Sequence, residues 1–384
     1  MVGVTFFISI FILVYTWFGY LLLLRLFVKL CSHENILPNN QPFVTVVLTV
    51  HNEQEVIGKR IDNLLAQDYP KELYDVLVAS DGSTDETNDL IRLYAKNHRR
   101  VRLYETNGGG KSATQNNAIP LAMGDIIVLT DAGTTFEVST LNYLVKSFSQ
   151  TSVGCVTGRL MLNQPLGAVA GSQGMYWRFE TTLRGLESKI GALHTASGQI
   201  MAFRKNLFRP FGPMYGDDCI IPLDIIMQGY RVVHEDSAIA YDSFPSTPKG
   251  ELKARTRMTL RNITCTLSKN QLLNPFKYPF ISLAIISHKL LRWLTPFFML
   301  TALFTNIFLL GENTFYLLSG IAQGLFYVLG AAGFIGELCK VRIPVASQIF
   351  SFLLANAGFF LGVLKAISGK HVTSYKNHEP CHGA

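Results

Sequence analysis

A few acidic residues and one lysine stand where strands or helices should end or begin. Glu53 follows the apolar run Phe43–Thr49, Asp81 follows Asp75–Ala79, and Asp131 follows Ile126–Leu129. Ligands of open α/β sheets bind at the carboxyl ends of strands, so these side chains arrive where a substrate would sit. Lys111 closes Asn107-Gly108-Gly109-Gly110. Glycines let a backbone approach a phosphate closely, and a lysine supplies counter-charge. The spacing is neither G-x-G-x-x-G nor that of a P-loop. Asp217-Asp218 opens the apolar run Ile220–Met227, and a helix N-terminus keeps a carboxylate ionised, hence basic. Each feature also has a plainer reading. Asp131-Ala132-Gly133 is good turn chemistry, the glycine loop could be a flexible turn, and the acid pair could simply cap its helix.

The elements that must position these residues are legible as alternating patterns. Phe43–Thr49 reads as a buried strand. A helix follows over about Glu53–Ala66, with Val56, Ile61, Leu64 and Leu65 facing inward. Asp75–Ala79 is a second strand. Ser83 or Thr84 can cap the next helix, which carries Leu90, Ile91 and Leu93. Val101–Tyr104 is a third strand, a helix with Ala113, Ala118 and Leu121 follows the glycine loop, and Ile126–Leu129 is a fourth strand. Such alternation predicts a Rossmann-like, mostly parallel, doubly wound α/β sheet. Further on, Lys253, Arg257 and Arg261 share one helical face and Leu260, Ile263 and Leu267 another. This basic amphipathic helix should lie at a lipid interface, with Arg257 the candidate to reach a diphosphate. His194 and His234 read as structural histidines, the latter at a strand end.

The chain has 384 residues, is 48% hydrophobic and 16% charged, and carries a formal net charge of +7. That is too apolar for a typical soluble protein, and the excess sits at the two ends. Val4–Leu24 is long enough to cross a hydrocarbon core of about 30 Å, and lacks the basic start and cleavage site of a signal peptide. Arg25 and Lys29 place the middle of the chain in the cytosol. Trp293–Gly311, Asn313–Gly336 and Ile343–Leu364 are three further spans. Lys340 and Arg342 then mark a cytosolic loop. The number of spans leaves the tail outside, whereas Lys365, Lys370 and Lys376 favour inside; a re-entrant segment at Tyr278–Ser287 is one way to reconcile the two. The expected divisions are 1–30 (membrane helix), 40–245 (cytosolic domain), 246–292 (interfacial helices), 293–367 (membrane helices) and 368–384 (tail). The six cysteines include no C-x-x-C pair, so neither a metal-site spacing nor a disulfide framework is expected. The charge suits anionic lipid, and no basic stripe interleaved with aromatics points to nucleic acid.

VTVVLTVHNEQEVI, SDGSTDET, NGGGKSATQNNAI, LTDAGTTF, HTASGQIMAFRKNLF and GDDCIIPLDIIMQGYRVV, in that order, resemble family 2 glycosyltransferases of the GT-A fold. SHKLLRWLTP, leading into the last membrane helices, resembles the membrane-bound branch. The resemblance spans roughly Phe43 to Pro296. It implies that Asn52, Glu53 and Asp81 contact the uridine or ribose of a UDP-sugar and that Lys111 lies near the nucleotide. It puts Asp131 at a divalent metal, Mg²⁺ or Mn²⁺. It puts Asp218, with Asp217 beside it, at the general base, and Gly198 where backbone passes close to sugar or acceptor. The implied enzyme is a membrane-bound inverting glycosyltransferase with a lipid-linked or glycan acceptor, sited in the inner membrane. Two departures stand out. The second carboxylate of the family's Asp-x-Asp is Gly133 here, and the Gln-x-x-Arg-Trp of processive members is absent, Arg292-Trp293 following Lys289-Leu290-Leu291. A processive synthase, a polyprenyl-phosphate sugar transferase and a non-catalytic nucleotide-sugar-binding partner are the alternatives.

Overall fold

The computed structural model describes residues 1–30, 41–162, 168–243, 247–341 and 343–370. Arg342, Lys376, Cys31 and Cys381, which entered the charge and cysteine readings, lie outside the described residues. The N-terminal helix α1 (Val2–Leu30) passes through a wide π-type turn at Tyr15–Gly19. Then come β1 (Val44–Val50), α2 (Ile57–Leu65), β2 (Tyr74–Asp81), α3 (Thr87–Asn97), β3 (Val101–Thr106), α4 (Lys111–Ala118) and β4 (Ile126–Thr130). The four strands are parallel, with Val44 level with both Tyr74 and Ile126, and Val76 level with Val101.

The continuous apolar runs follow from burial on both faces. Val46, Leu48, Val76 and Val128 pack with Ile57, Ile61, Leu64 and Ile91 on one side. The alternate residues Val47, Leu77, Ile127 and Leu129 pack with Ala118 and Ile119 on the other. Each such side chain contributes about 1.5–3 kcal/mol of burial.

The second half comprises β5 (Thr135–Phe136), α5 (Thr140–Lys146), β6 (Val153–Leu162), α6 (Ala168–Lys189), β7 (Met201–Arg204), α7 (Asp217–Met227) and β8 (Arg231–Asp242). The full order is β3-β2-β1-β4-β7-β6-β8-β5. Here the sheet is mixed: β7 runs antiparallel to β4 and β6, β8 is parallel to β6, and β5 is antiparallel to β8. The reversal at β7 matters for the site. Met201 pairs with Leu129, so residues just before Met201 lie beyond the carboxyl end of β4, beside Asp131. Thr130 Oγ1 donates to the Gln199 carbonyl at 2.8 Å, which fixes that approach.

Four helices close the chain: α8 (Pro248–Ser268), α9 (Pro279–Leu309), α10 (Thr314–Leu338) and α11 (Pro344–Ile367). By length and composition α1, α9, α10 and α11 can each cross a membrane. The boundary expected at Arg292/Trp293 falls inside α9. Tyr278–Ser287 opens this single helix, which carries a π-type turn at Ile285–Leu290. At 31 residues α9 is about 46 Å long, longer than a hydrocarbon core, so its buried polar opening can lie outside the lipid. The basic helix α8 docks on α11, with Gly358 and Gly362 against Arg255 and Thr259. Leu260 and Ile263 are buried and Leu267 is exposed. The apolar face of α8 is therefore largely used by the protein rather than by lipid.

Candidate active site

The first turn of α4 gathers the acidic residues. Asp81 Oδ1 accepts from the Gly110 amide at 3.1 Å and from Thr114 Oγ1 at 2.9 Å. Lys111 Nζ lies 2.7 Å from Asp131 Oδ1 and 3.0 Å from Asp217 Oδ2. Gln115 Nε2 donates to Asp217 Oδ2 at 2.9 Å. Residues from the ends of β2 and β4 and the start of α7 thus meet on one short helix.

The approach to that turn depends on glycine. Gly108 and Gly110 each have φ of 89°, with open space where a Cβ would be, so backbone conformation and not crowding requires glycine there. Gly82 has φ of 66°, and a Cβ on it would lie 2.9 Å from the Gly108 nitrogen. The two loops therefore pass in backbone contact. Asn52, itself left-handed at φ 54°, turns its side chain to the second loop, where Oδ1 accepts from the Thr84 amide at 2.8 Å. Its role here is to brace the turn after β2. The Glu53 amide donates to Thr87 Oγ1 at 2.8 Å, joining the ends of β1 and β2.

The neighbouring acids Asp217 and Asp218 differ sharply. Burial would raise the Asp217 carboxyl, but Lys111 and Gln115 outweigh it and hold it down at about 2. The Asp218 carboxyl has no hydrogen-bond partner among the described residues. Burial, and then the charge of Asp217, push it above the ordinary carboxylate value. Asp217 is therefore a fixed anion, and Asp218 is the acid of the pair that holds its proton more tightly than an ordinary carboxyl. Asp218 is anchored by its backbone, since its carbonyl accepts from the Ala196 amide at 2.9 Å. Gly198 lies against Asp217: a Cβ there would be 3.4 Å from Asp217 Oδ1.

The position opposite Gly133 is filled from another strand. A Cβ at residue 133 would lie 3.8 Å from Asp242 Oδ1, at the end of β8, and Asp242 Oδ2 accepts from Thr134 Oγ1 at 3.3 Å. Burial, and then the charge of Asp131, raise Asp242 to about 6. Among the described residues no group of three or more His, Cys, Asp or Glu side chains is arranged to hold a metal. Asp131 and Asp242 are hard oxygen donors of the kind a divalent cation takes, and in this structure the Lys111 ammonium occupies Asp131.

Two residues at the site, Arg60 and Asp242, carried no sequence signal of their own. Arg60, 3% exposed, bonds Thr130 Oγ1 at 2.6 Å and faces Asp131 and Asp242, with burial lowering it to about 9. Arg261, not Arg257, is the α8 arginine turned to the acid pair: its Nη2 donates to the Tyr215 carbonyl, and its charge acts on both Asp217 and Asp218. Arg257 forms no hydrogen bond or ion pair among the described residues. His234 lies within β8 and not at its end, with Nε2 3.1 Å from Asp236 Oδ1, and His194 is buried.

A parallel β3-β2-β1-β4 half bearing the glycine-rich turn, joined to a mixed half bearing the acid pair, is the GT-A glycosyltransferase fold. The mannosyltransferase PcManGT from Pyrobaculum calidifontis, solved in complex with GDP-Man and Mn²⁺, has this fold. It matches with a TM-score of 0.71 at 22% identity over 95% of this chain and 99% of that one. Residues 41–260 match the family described as Glycosyltransferase like family 2, and the chain belongs to that family. Among curated proteins it is 26% identical over 220 residues to the poly-β-1,6-N-acetyl-D-glucosamine synthase of Staphylococcus aureus strain COL, covering 56% of this chain and 53% of that protein. It is 30% identical over 178 residues to the β-monoglucosyldiacylglycerol synthase of Nostoc sp., covering 45% of this chain and 36% of that protein. The chain thus spans about half or less of the length of the curated relatives it matches.

Proposed function

We propose that the protein is a membrane-embedded, inverting glycosyltransferase that takes a UDP-sugar on the cytosolic side of the inner membrane. The acceptor is a glycan or lipid-linked hydroxyl presented at the bilayer, in polysaccharide or glycolipid synthesis. The observation that carries this reading is the division of labour within the acid pair: Asp217 is tied to Lys111, and the Asp218 carboxyl, raised by burial and by Asp217, has no hydrogen-bond partner among the described residues.

Asp218 takes the proton from the acceptor hydroxyl as its oxygen attacks the anomeric carbon. The bond from that carbon to the diphosphate breaks on the opposite face, so configuration inverts and UDP departs. A positioned base of this kind is worth a factor of about 10²–10⁴. The Gly108–Lys111 turn receives the diphosphate, with Lys111 balancing the charge that develops on it. A bound Mg²⁺ or Mn²⁺ would add Lewis-acid neutralisation of the leaving group. Asp131 and Asp242 would hold it, Asp242 standing in for the carboxylate missing at Gly133. Arg25 and Lys29 support the cytosolic placement, and the apolar α1, α9, α10 and α11 support membrane lipid as a partner.

The test is release of nucleotide from a panel of UDP-sugars and GDP-mannose by the full-length protein in detergent, with lipid extract as acceptor. Asp218→Asn should abolish turnover by about 10²-fold or more while leaving UDP binding intact. Turnover unchanged in Asp218→Asn would remove that residue from the reaction. The similarity to a polymer synthase supports a second reading, a processive enzyme, which product length distinguishes.

A further inference from the structure

A second set of buried charges lies behind the donor site, and the proposed reaction uses none of it. Glu180, Arg184 and Glu187 line one side of α6, and all three are buried. They meet two residues of α9. Glu180 Oε2 lies 2.7 Å from Arg292 Nη1 and 3.0 Å from His288 Nε2. His288 Nδ1 lies 2.7 Å from Glu187 Oε1, which also accepts from Tyr20 Oη of α1 at 2.9 Å. Burial would raise both carboxyls, but the charges of α9 hold them below the ordinary value. His288 thus bridges Glu180 and Glu187 through its two ring nitrogens.

The chain of contacts continues into the active site. Arg184 Nε is 3.1 Å from Glu180 Oε1, and its Nη1 donates to Ser197 Oγ at 2.7 Å. The Ser197 amide donates to Thr157 Oγ1 at 2.9 Å. The next residue, Gly198, is the one packed against Asp217. At the membrane end, the π-type turns of α1 and α9 are joined by Tyr15 Oη and Ser287 Oγ at 2.8 Å. Such turns are frequent at functional sites. Buried ion pairs seldom stabilise a fold more than apolar residues would, and fixing one arrangement is their best-attested use.

We propose that Glu180 and Arg184 are positioning residues through which the membrane helices α1 and α9 hold Ser197 and Gly198 in place, and so set where the acceptor meets Asp218. The acceptor half of this statement rests on the proposed function; the mechanical half does not.

The experiment uses full-length protein in detergent carrying Ser197→Ala, Glu180→Gln, Arg184→Ala or Arg184→Lys. Amide hydrogen exchange is followed over residues 194–200, UDP affinity is measured with Mn²⁺ present, and kcat and donor KM are measured on the active donor. Ser197→Ala, Glu180→Gln and Arg184→Ala should each raise exchange at 194–200 by about tenfold or more and lower kcat by about tenfold. UDP affinity and donor KM should stay within about twofold. Arg184→Lys should fall between wild type and Arg184→Ala. Unchanged exchange at 194–200 overturns the proposal, and so does a loss of UDP affinity that parallels the loss of kcat. Ser197→Ala removes a single oxygen and leaves every charge paired, so it carries the test should Glu180→Gln fail to fold. A wild-type protein that releases no nucleotide from any donor would sink the proposed function, and exchange would still decide whether the relay exists.

Discussion

Asp242 offers the sharpest quantitative test of the site. Its carboxyl is raised from an ordinary 3.8 to about 6, chiefly by burial and then by Asp131. Two pKa units at about 1.4 kcal/mol each make about 3 kcal/mol. The sign follows from linkage. A folded-state pKa above the unfolded one gives stability that is full below about pH 4 and lost as pH rises through about 6. At pH 7.5 without metal, ionised Asp242 therefore works against the folded state. Asp242→Asn should raise the metal-free Tm at pH 7.5, with the advantage shrinking towards pH 5. A cation held between Asp131 and Asp242 reverses the order, because binding stabilises by mass action. Mn²⁺ with UDP should raise the wild-type Tm by clearly more than that of the variant. The assay is thermal unfolding in detergent from pH 5 to 8, with EDTA or with Mn²⁺ and UDP. Equal Tm values at pH 7.5 in EDTA, or equal gains from Mn²⁺, would refute the assignment.

Three further outcomes are expected. Gly82→Ala puts a Cβ at φ 66°, 2.9 Å from the Gly108 nitrogen. It should cost about 1–2 kcal/mol in backbone strain and weaken UDP binding measured by calorimetry; unchanged binding would separate that contact from the nucleotide. Since Asp218 must be ionised to act as base, the acid limb of kcat against pH should lie above the usual carboxylate range of about 4. Asp217→Asn removes a charge that raises Asp218, so it should move that limb to lower pH, and a move to higher pH would contradict the pairing. Lys111→Met leaves Asp131 and Asp217 without their shared ammonium; kcat/KM for the donor should fall by about 10²-fold or more, and a change below threefold would remove Lys111 from the donor site.

The parallel half of the fold was legible because burial on both faces writes its central strands as largely apolar runs. That pattern also exposed Glu53, Asp81, Asp131 and the Gly-Gly-Gly-Lys turn. The mixed half was less legible. β7 is only Met201–Arg204, too short to show a period, yet its direction brings Gln199 to Thr130 at the carboxyl end of β4. Asp242 gave no signal, since its closeness to Gly133 exists only once β8 and β5 pair. Arg257 and Arg261 share one helical face, so spacing could not say which of them points to the acid pair; the docking of α8 on α11 decides it. The start of α9 was hidden for a physical reason. Ser287, His288 and Arg292 interrupt the apolar pattern, and their burial is compensated by Tyr15, Glu180 and Glu187, far away in sequence.

The most direct measurement is a density map of the full-length protein with UDP and Mn²⁺, repeated with GDP in place of UDP. The diphosphate should lie on the Gly108–Lys111 turn, with the ion about 2.0–2.3 Å from oxygens of Asp131 and Asp242 and Asp218 open to the space beyond the phosphate. A nucleotide seated away from that turn, or an ion that touches neither carboxylate, would contradict the site described here.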